Sequence, residues 1–233
     1  MDDGNFQKKV LLICSDYFVV ISKLNTTPIE MGIFDIFKKP SNGNNPRTAL
    51  ERKKHTEKYL ESLKIPFIDH LPLIEEESEV KIRDAREIAE RILILVYLAY
   101  VSEVPEKREN VIDFLKTNLL WNKVSPNEKE LYQKEELTDQ EAVNVSLRSK
   151  AVWLLLWIIN KVGKLELPTG QVEISEIVSR LPRLLSDPKD FIETAVIRPK
   201  NEILDILDLT YRLHCATRKA DLNKLSISPK LNL

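Results

Sequence analysis

TDQEAVNVSLRSKAVWLLLWIINKVGKLELP, residues 138–168, begins with a helix start signal and runs into a long apolar stretch. Thr138-Asp139-Gln140-Glu141 is a capping box. The threonine hydroxyl accepts from the amide of Glu141, and the glutamate reaches back to the threonine amide. From Ala151 to Ile159 every residue is apolar. A helix that is apolar on all sides is buried among several neighbours. The spacing predicts one helix over about 139–161, closed by Gly163 as a left-handed C-terminal cap.

Working outward, Ser125-Pro126-Asn127-Glu128 repeats the device with proline at the first helical position. Two boxes so close together predict two successive helix starts, because each satisfies amides that a helix leaves orphaned. A second apolar run, ILILVYLAYV at 92–101, lies in a helix predicted over about 80–103, with an amphipathic first half. It is too short for a membrane span, which needs about 20 apolar residues. A helix over 106–119 places Val111, Ile112, Leu115 and Leu119 inward. Asn45-Pro46 reads as the start of a helix over 46–64, with Ala49, Leu50, Tyr59, Leu60 and Leu63 on its apolar stripe. Pro66 and Pro72 then bracket an extended segment. After Pro168 and Gly170, where a short hairpin or irregular crossing is expected, helix resumes over 175–185. Asp187-Pro188 opens another short turn of helix, and a last helix follows Pro199 over about 200–219.

The 233 residues carry 35 Lys and Arg against 36 Asp and Glu, a formal net charge of -1, so no global basic field recruits nucleic acid. Five glycines against twelve prolines argue against glycine-rich phosphate loops and against a turn-dense β-sandwich. Two cysteines, Cys14 and Cys215, make no disulfide framework, and the expected compartment is a reducing cytoplasm. The apolar run VLLICSDYFVVI near the start contains Asp16 and is followed by no small-residue cleavage site, unlike a signal peptide. Met31 opens an amphipathic leader and a Ser/Asn/Gly linker, so it reads as the translation start, with residues 1–30 an upstream extension.

No nucleophile–base pair or metal-ligand spacing is present. His214 and Cys215 are adjacent, so on a helix they point about 100° apart and form no couple by themselves. His55 and His70 lack His-x-x-x-His spacing, and no metal or other cofactor is expected. Trp153 and Trp157 share one helix face and read as core rather than as a stacking platform. Asp205, Asp208 and Arg212 lie on one stripe of the last helix. Their plainer reading is a solvated face with an i,i+4 ion pair. The sharper reading gathers Arg83, Arg91, Arg148, Asp208, Arg212 and His214 into a polar pocket for an anionic ligand.

The order of motifs resembles the bacterial family known as domain of unknown function 4272. The matching pieces begin with Lys64-Ile65-Pro66, His70-Leu71-Pro72, Glu79-Val80, Arg83 and Glu87-Ile88-Ala89-x-Arg91. Leu120-Trp121, Ser125-Pro126-x-Glu128 and Arg148-x-x-Ala151-x-Trp153-x-Leu155-Leu156-Trp157 follow. Leu165-x-x-Pro168 and Glu202-Ile203-Leu204-Asp205-x-x-Asp208-Leu209-x-Tyr211-Arg212-x-His214-Cys215-Ala216 complete the set, which spans about 47–221. Relatives usually carry tryptophan where this chain has Cys215, and they tend to continue further, so a truncated C-terminus is expected. The resemblance implies a helical fold and supplies no activity.

Together these readings predict an all-α, single-domain helical bundle over 46–221 around two buried helices, about 84–103 and 139–161. It is flanked by a 1–45 extension and a 222–233 tail. The expected role is a non-enzymatic protein-interaction module with an unidentified protein partner, without nucleic acid or a membrane span. The alternative is an enzyme or anionic-ligand binder using the Arg/Asp/His pocket.

Overall fold

The computed structural model describes residues 47–165 and 174–223. The Met31 start, the linker, the Asn45-Pro46 cap and the C-terminal tail beyond 223 lie outside them, as does most of the expected hairpin near 164–175. Every regular element among the described residues is helical, and none is long and apolar enough to cross a membrane. The residues form two compact units.

The first unit contains α1 (Ala49–Ser62), the extended segment up to Ile82, and α9 (Lys200–Asn223). Thr48 caps α1 through a complete capping box with Glu51, so the helix starts later than the prolyl signal suggests. The Glu76 carboxylate accepts from the Ala49 amide at 2.9 Å and satisfies a further orphan donor of the first turn. The 65–82 segment has no regular structure of its own and is held by lysines. Lys53 donates to the carbonyls of Asp69 and Leu71, and Lys200 donates to those of Glu77 and Val80. Val80, Leu204 and Leu207 form an apolar cluster with Ile74, Ile82 and Tyr211 around it. α1 packs against α9.

The second unit is built on α2 (Ala85–Glu103). Asp84 caps it in a further capping box with Glu87, so the expected start near residue 80 moves to Ala85. Ile92 to Leu95, Tyr97, Leu98 and Val101 are buried, as an all-round apolar run requires. Around α2 pack α3 (Arg108–Thr117), α4 (Pro126–Gln133), α5 (Asp139–Lys150), α6 (Val152–Ile158) and α8 (Lys189–Glu193). Short 3-10 turns at Pro105–Lys107 and Trp121–Lys123 connect neighbours. α7 (Ile174–Ser179) completes the unit. The Ser125 and Thr138 boxes form as their sequences require.

Two details correct the sequence reading. The helix expected over 139–161 breaks at Ala151, whose amide bonds the Arg148 carbonyl three residues back. That tightened turn separates a mostly exposed α5 from a buried α6. Gly163 is not the left-handed cap, since no described glycine has positive φ; Asn160 takes that role at φ 58°. Its amide bonds the Trp157 carbonyl, the Lys161 amide bonds that of Leu156, and its side chain donates to the Val196 carbonyl.

The same six-to-one closure ends α1 at Lys64 and α3 at Leu119, both in the left-handed region. Leu119 was expected inward, yet it is 72% exposed, because the closure turns its side chain out and brings Leu120 into the core. The left-handed conformation costs a residue with a Cβ roughly 1–2 kcal/mol. Leu119→Gly removes that strain together with an exposed apolar side chain. It should stabilise the protein by about 1 kcal/mol, less the extra freedom glycine gives the unfolded chain. A higher urea midpoint checks this; a lower one would show that Leu119 makes a contact worth more than the strain.

Candidate functional site

Two groups of buried charge stand out, one in each unit. In the second unit Glu128 is the hub. Its place at the third position of α4 follows from the capping box, in which it accepts from the Ser125 amide at 3.2 Å and the Ser125 hydroxyl at 2.8 Å. Arg91 of α2 clamps the same carboxylate with two parallel N–H donors at 2.8 and 2.5 Å. Such a fork is among the stronger polar contacts in proteins. Arg148 of α5 approaches to 3.6 Å without a hydrogen bond. Burial raises the Glu128 pKa, but the Arg91 hydrogen bonds and charge outweigh it, with Ser125 adding to them, and the carboxyl is held below its usual range. One residue before Arg91, the buried Glu90 accepts from Arg86 at 3.1 Å and from the Lys123 ammonium.

Glu128→Gln keeps the side-chain shape and removes the charge. Breaking a fully buried pair costs about 3–5 kcal/mol. Arg91 is part-exposed and regains some hydration, so a loss of about 2 kcal/mol is expected. Because the folded pKa is lowered, the contribution is full above the unfolded value of about 4.3 and is lost as pH falls through the folded value. Urea midpoints at pH 7 and at acid pH should therefore converge between variant and wild type. A gap that stays constant with pH would contradict the ionised pair.

In the first unit a seam of charge runs between α1 and α9. Arg47 donates to Asp205 at 2.6 Å and Arg52 at 3.1 Å. Further along, Arg212 makes two hydrogen bonds to Asp208, at 3.0 and 2.9 Å, and lies 3.6 Å from Glu57. Arg52, Thr56, Asp205, Asp208 and Arg212 are all buried. Arg52 Nη1 and Thr56 Oγ1 are buried without a hydrogen-bond partner among the described residues. Burial pushes the Asp205 carboxyl above its usual range, further than Arg47, Arg52 and His55 pull it down. The expected solvated face is thus overturned. The stripe lies against α1, where Arg52 supplies the countercharge to Asp205 and Glu57 faces Arg212.

Of the six residues weighed for an anionic pocket, Arg91 and Arg148 meet on Glu128. Arg83 is half-exposed and pairs with Glu87 one turn along its own segment. Asp208 and Arg212 bind each other in the first unit, and His214 is half-buried on α9. The Tyr211 hydroxyl, pushed up by burial first, also meets the Cys215 thiol one turn on. The sequence reading missed Arg52, Thr56, Glu57 and Glu90. The signal for two of them was available: Ala49, Arg52, Thr56, Tyr59 and Leu60 follow helical spacing, so an arginine and a threonine occupy positions in the inward stripe.

Among the described residues no group of three His, Cys, Asp or Glu is placed to hold a metal ion. The charged side chains of the two clusters pair as salt bridges. No curated protein and no solved structure matches the chain. A family profile does match it, over residues 52–233, which take in both charge clusters except Arg47: the chain belongs to the family described as domain of unknown function (DUF4272).

Proposed function

We propose that this protein is a non-enzymatic interaction module that docks another protein chain. The observation that carries the reading is α7. None of its residues is buried, and Ile174 and Val178, one turn apart, are 76% and 58% exposed. A six-residue helix is too short to be stable by its own hydrogen bonds, and paired apolar side chains on such a helix suit a groove on a partner. The charged clusters support the same direction, since Arg91, Asp208 and Arg212 spend hydrogen bonds inside the fold.

The test is affinity capture from the native host with the full chain, compared with Ile174→Glu/Val178→Glu. A stoichiometric protein held by wild type and lost by the variant is the expected result. A co-purifying small molecule with no protein would overturn it. Such a result would favour the anionic-ligand reading, which draws on the meeting of Arg91 and Arg148 at Glu128.

A further inference from the structure

In the second unit more cationic side chains gather at the buried Glu90 and Glu128 than those two carboxylates neutralise. Glu90 and Arg91 are successive residues on α2, and Lys123 lies two residues before Ser125, the cap of α4. The Glu90 and Glu128 clusters therefore start from neighbouring positions of α2. Four cationic side chains, Arg86, Arg91, Lys123 and Arg148, face two buried carboxylates, which leaves two positive charges in surplus.

That surplus is on the outer side. The Lys123 and Arg148 side chains are 47% and 39% exposed, whereas the two carboxylates are buried beneath. The lone pairs of Glu128 are already taken by the Arg91 fork and by Ser125, and Arg148 stands off at 3.6 Å. Its planar guanidinium keeps its donors for a second carboxylate, which it can hold bidentately. Glu90 holds Lys123 by a hydrogen bond, so little order of that side chain is lost when an anion arrives, while Glu128 keeps Arg148 nearby by charge alone.

We propose that this strip of cations is the docking surface for an acidic segment of a protein partner, with Arg148 and Lys123 each taking a carboxylate. The proposal rests on the interaction reading and names the chemistry of the partner it would take. Arg148, which has no hydrogen bond to Glu128, and Lys123, whose ammonium has donors beyond the one given to Glu90, match successive glutamates or aspartates along a peptide.

Fluorescein-labelled hexaglutamate is the probe, titrated against the full chain at low salt and read by anisotropy. Binding is expected to weaken at least tenfold in Lys123→Gln/Arg148→Gln and to fall steeply as salt is raised. Should the double variant fail to fold by circular dichroism, Arg148→Gln alone leaves Glu128 held by Arg91 and Ser125. It should still show about a threefold loss. Equal binding by wild type and variant would overturn the proposal. So would absence of hexaglutamate binding while inorganic phosphate binds, which would make the strip a phosphate site. A host protein retained by the strip variants but lost from Ile174→Glu/Val178→Glu would also sink the strip while leaving the interaction reading standing. Hexaglutamate lost from the strip variants, with no host protein captured by wild type, would instead confirm the strip's chemistry and sink the interaction reading.

Discussion

Asp208→Leu is expected to lower the stability of this protein by about 3–5 kcal/mol, because it leaves the Arg212 guanidinium buried beside an apolar side chain. Both residues are fully buried, and Arg212 would keep only the looser approach of Glu57 at 3.6 Å. Domains of this kind have about 5–15 kcal/mol in total, so the change is a large share of the whole. Asp208→Leu/Arg212→Met should recover most of the loss. Removing both charges abolishes the desolvation penalty along with the attraction, and apolar residues of similar volume replace buried pairs at little net cost. In the double variant Glu57 retains Lys53 at 3.6 Å. Urea unfolding of the single and double variants closes a double-mutant cycle, with a coupling of several kcal/mol expected. A single variant losing less than about 1 kcal/mol would show that water reaches Arg212.

That pair also marks where the sequence stops being legible. Capping boxes are local: four residues contain the whole hydrogen-bond cycle, and Ser125 and Thr138 form theirs as written. The apolar run 92–101 is legible for a similar reason, since all-round apolarity requires burial whatever surrounds it. Asp205 and Arg52 are 153 positions apart, and nothing within either helix says that the other supplies its countercharge. A polar stripe on α9 therefore reads as solvated until α1 is placed against it. Glu128 is an intermediate case. Its capping role was visible, while its clamp on Arg91 spans 37 positions and was not. The break at Ala151 was equally hidden, because alanine is the best helix former and gives no sign of a tightened turn.

Trp157→Ala tests whether the tryptophan face of α6 is structural or binds a ligand. Trp157 has no exposed surface, while Trp153, one turn before it, is half-buried. Truncating a buried tryptophan costs about 3–5 kcal/mol, part from lost transfer energy and part from the cavity left behind. Leu154, Leu155, Leu156 and Ile158 are buried alongside it. Close packing in such a core leaves them little room to collapse into the space. For a chain of this length each kcal/mol moves the melting temperature by about 2–4 °C, so a fall of about 10 °C is expected. Trp157→Phe should lose less, since it keeps most of the apolar volume. Trp153→Ala should lose less again, because water already covers part of that ring. A stacking platform would give the opposite order: Trp153→Ala would abolish binding with the melting temperature unchanged, and Trp157→Ala would be tolerated. A melt of the three variants distinguishes the two. The larger loss at Trp157 would make α6 part of the frame that holds α2 and, through it, Arg91 in place.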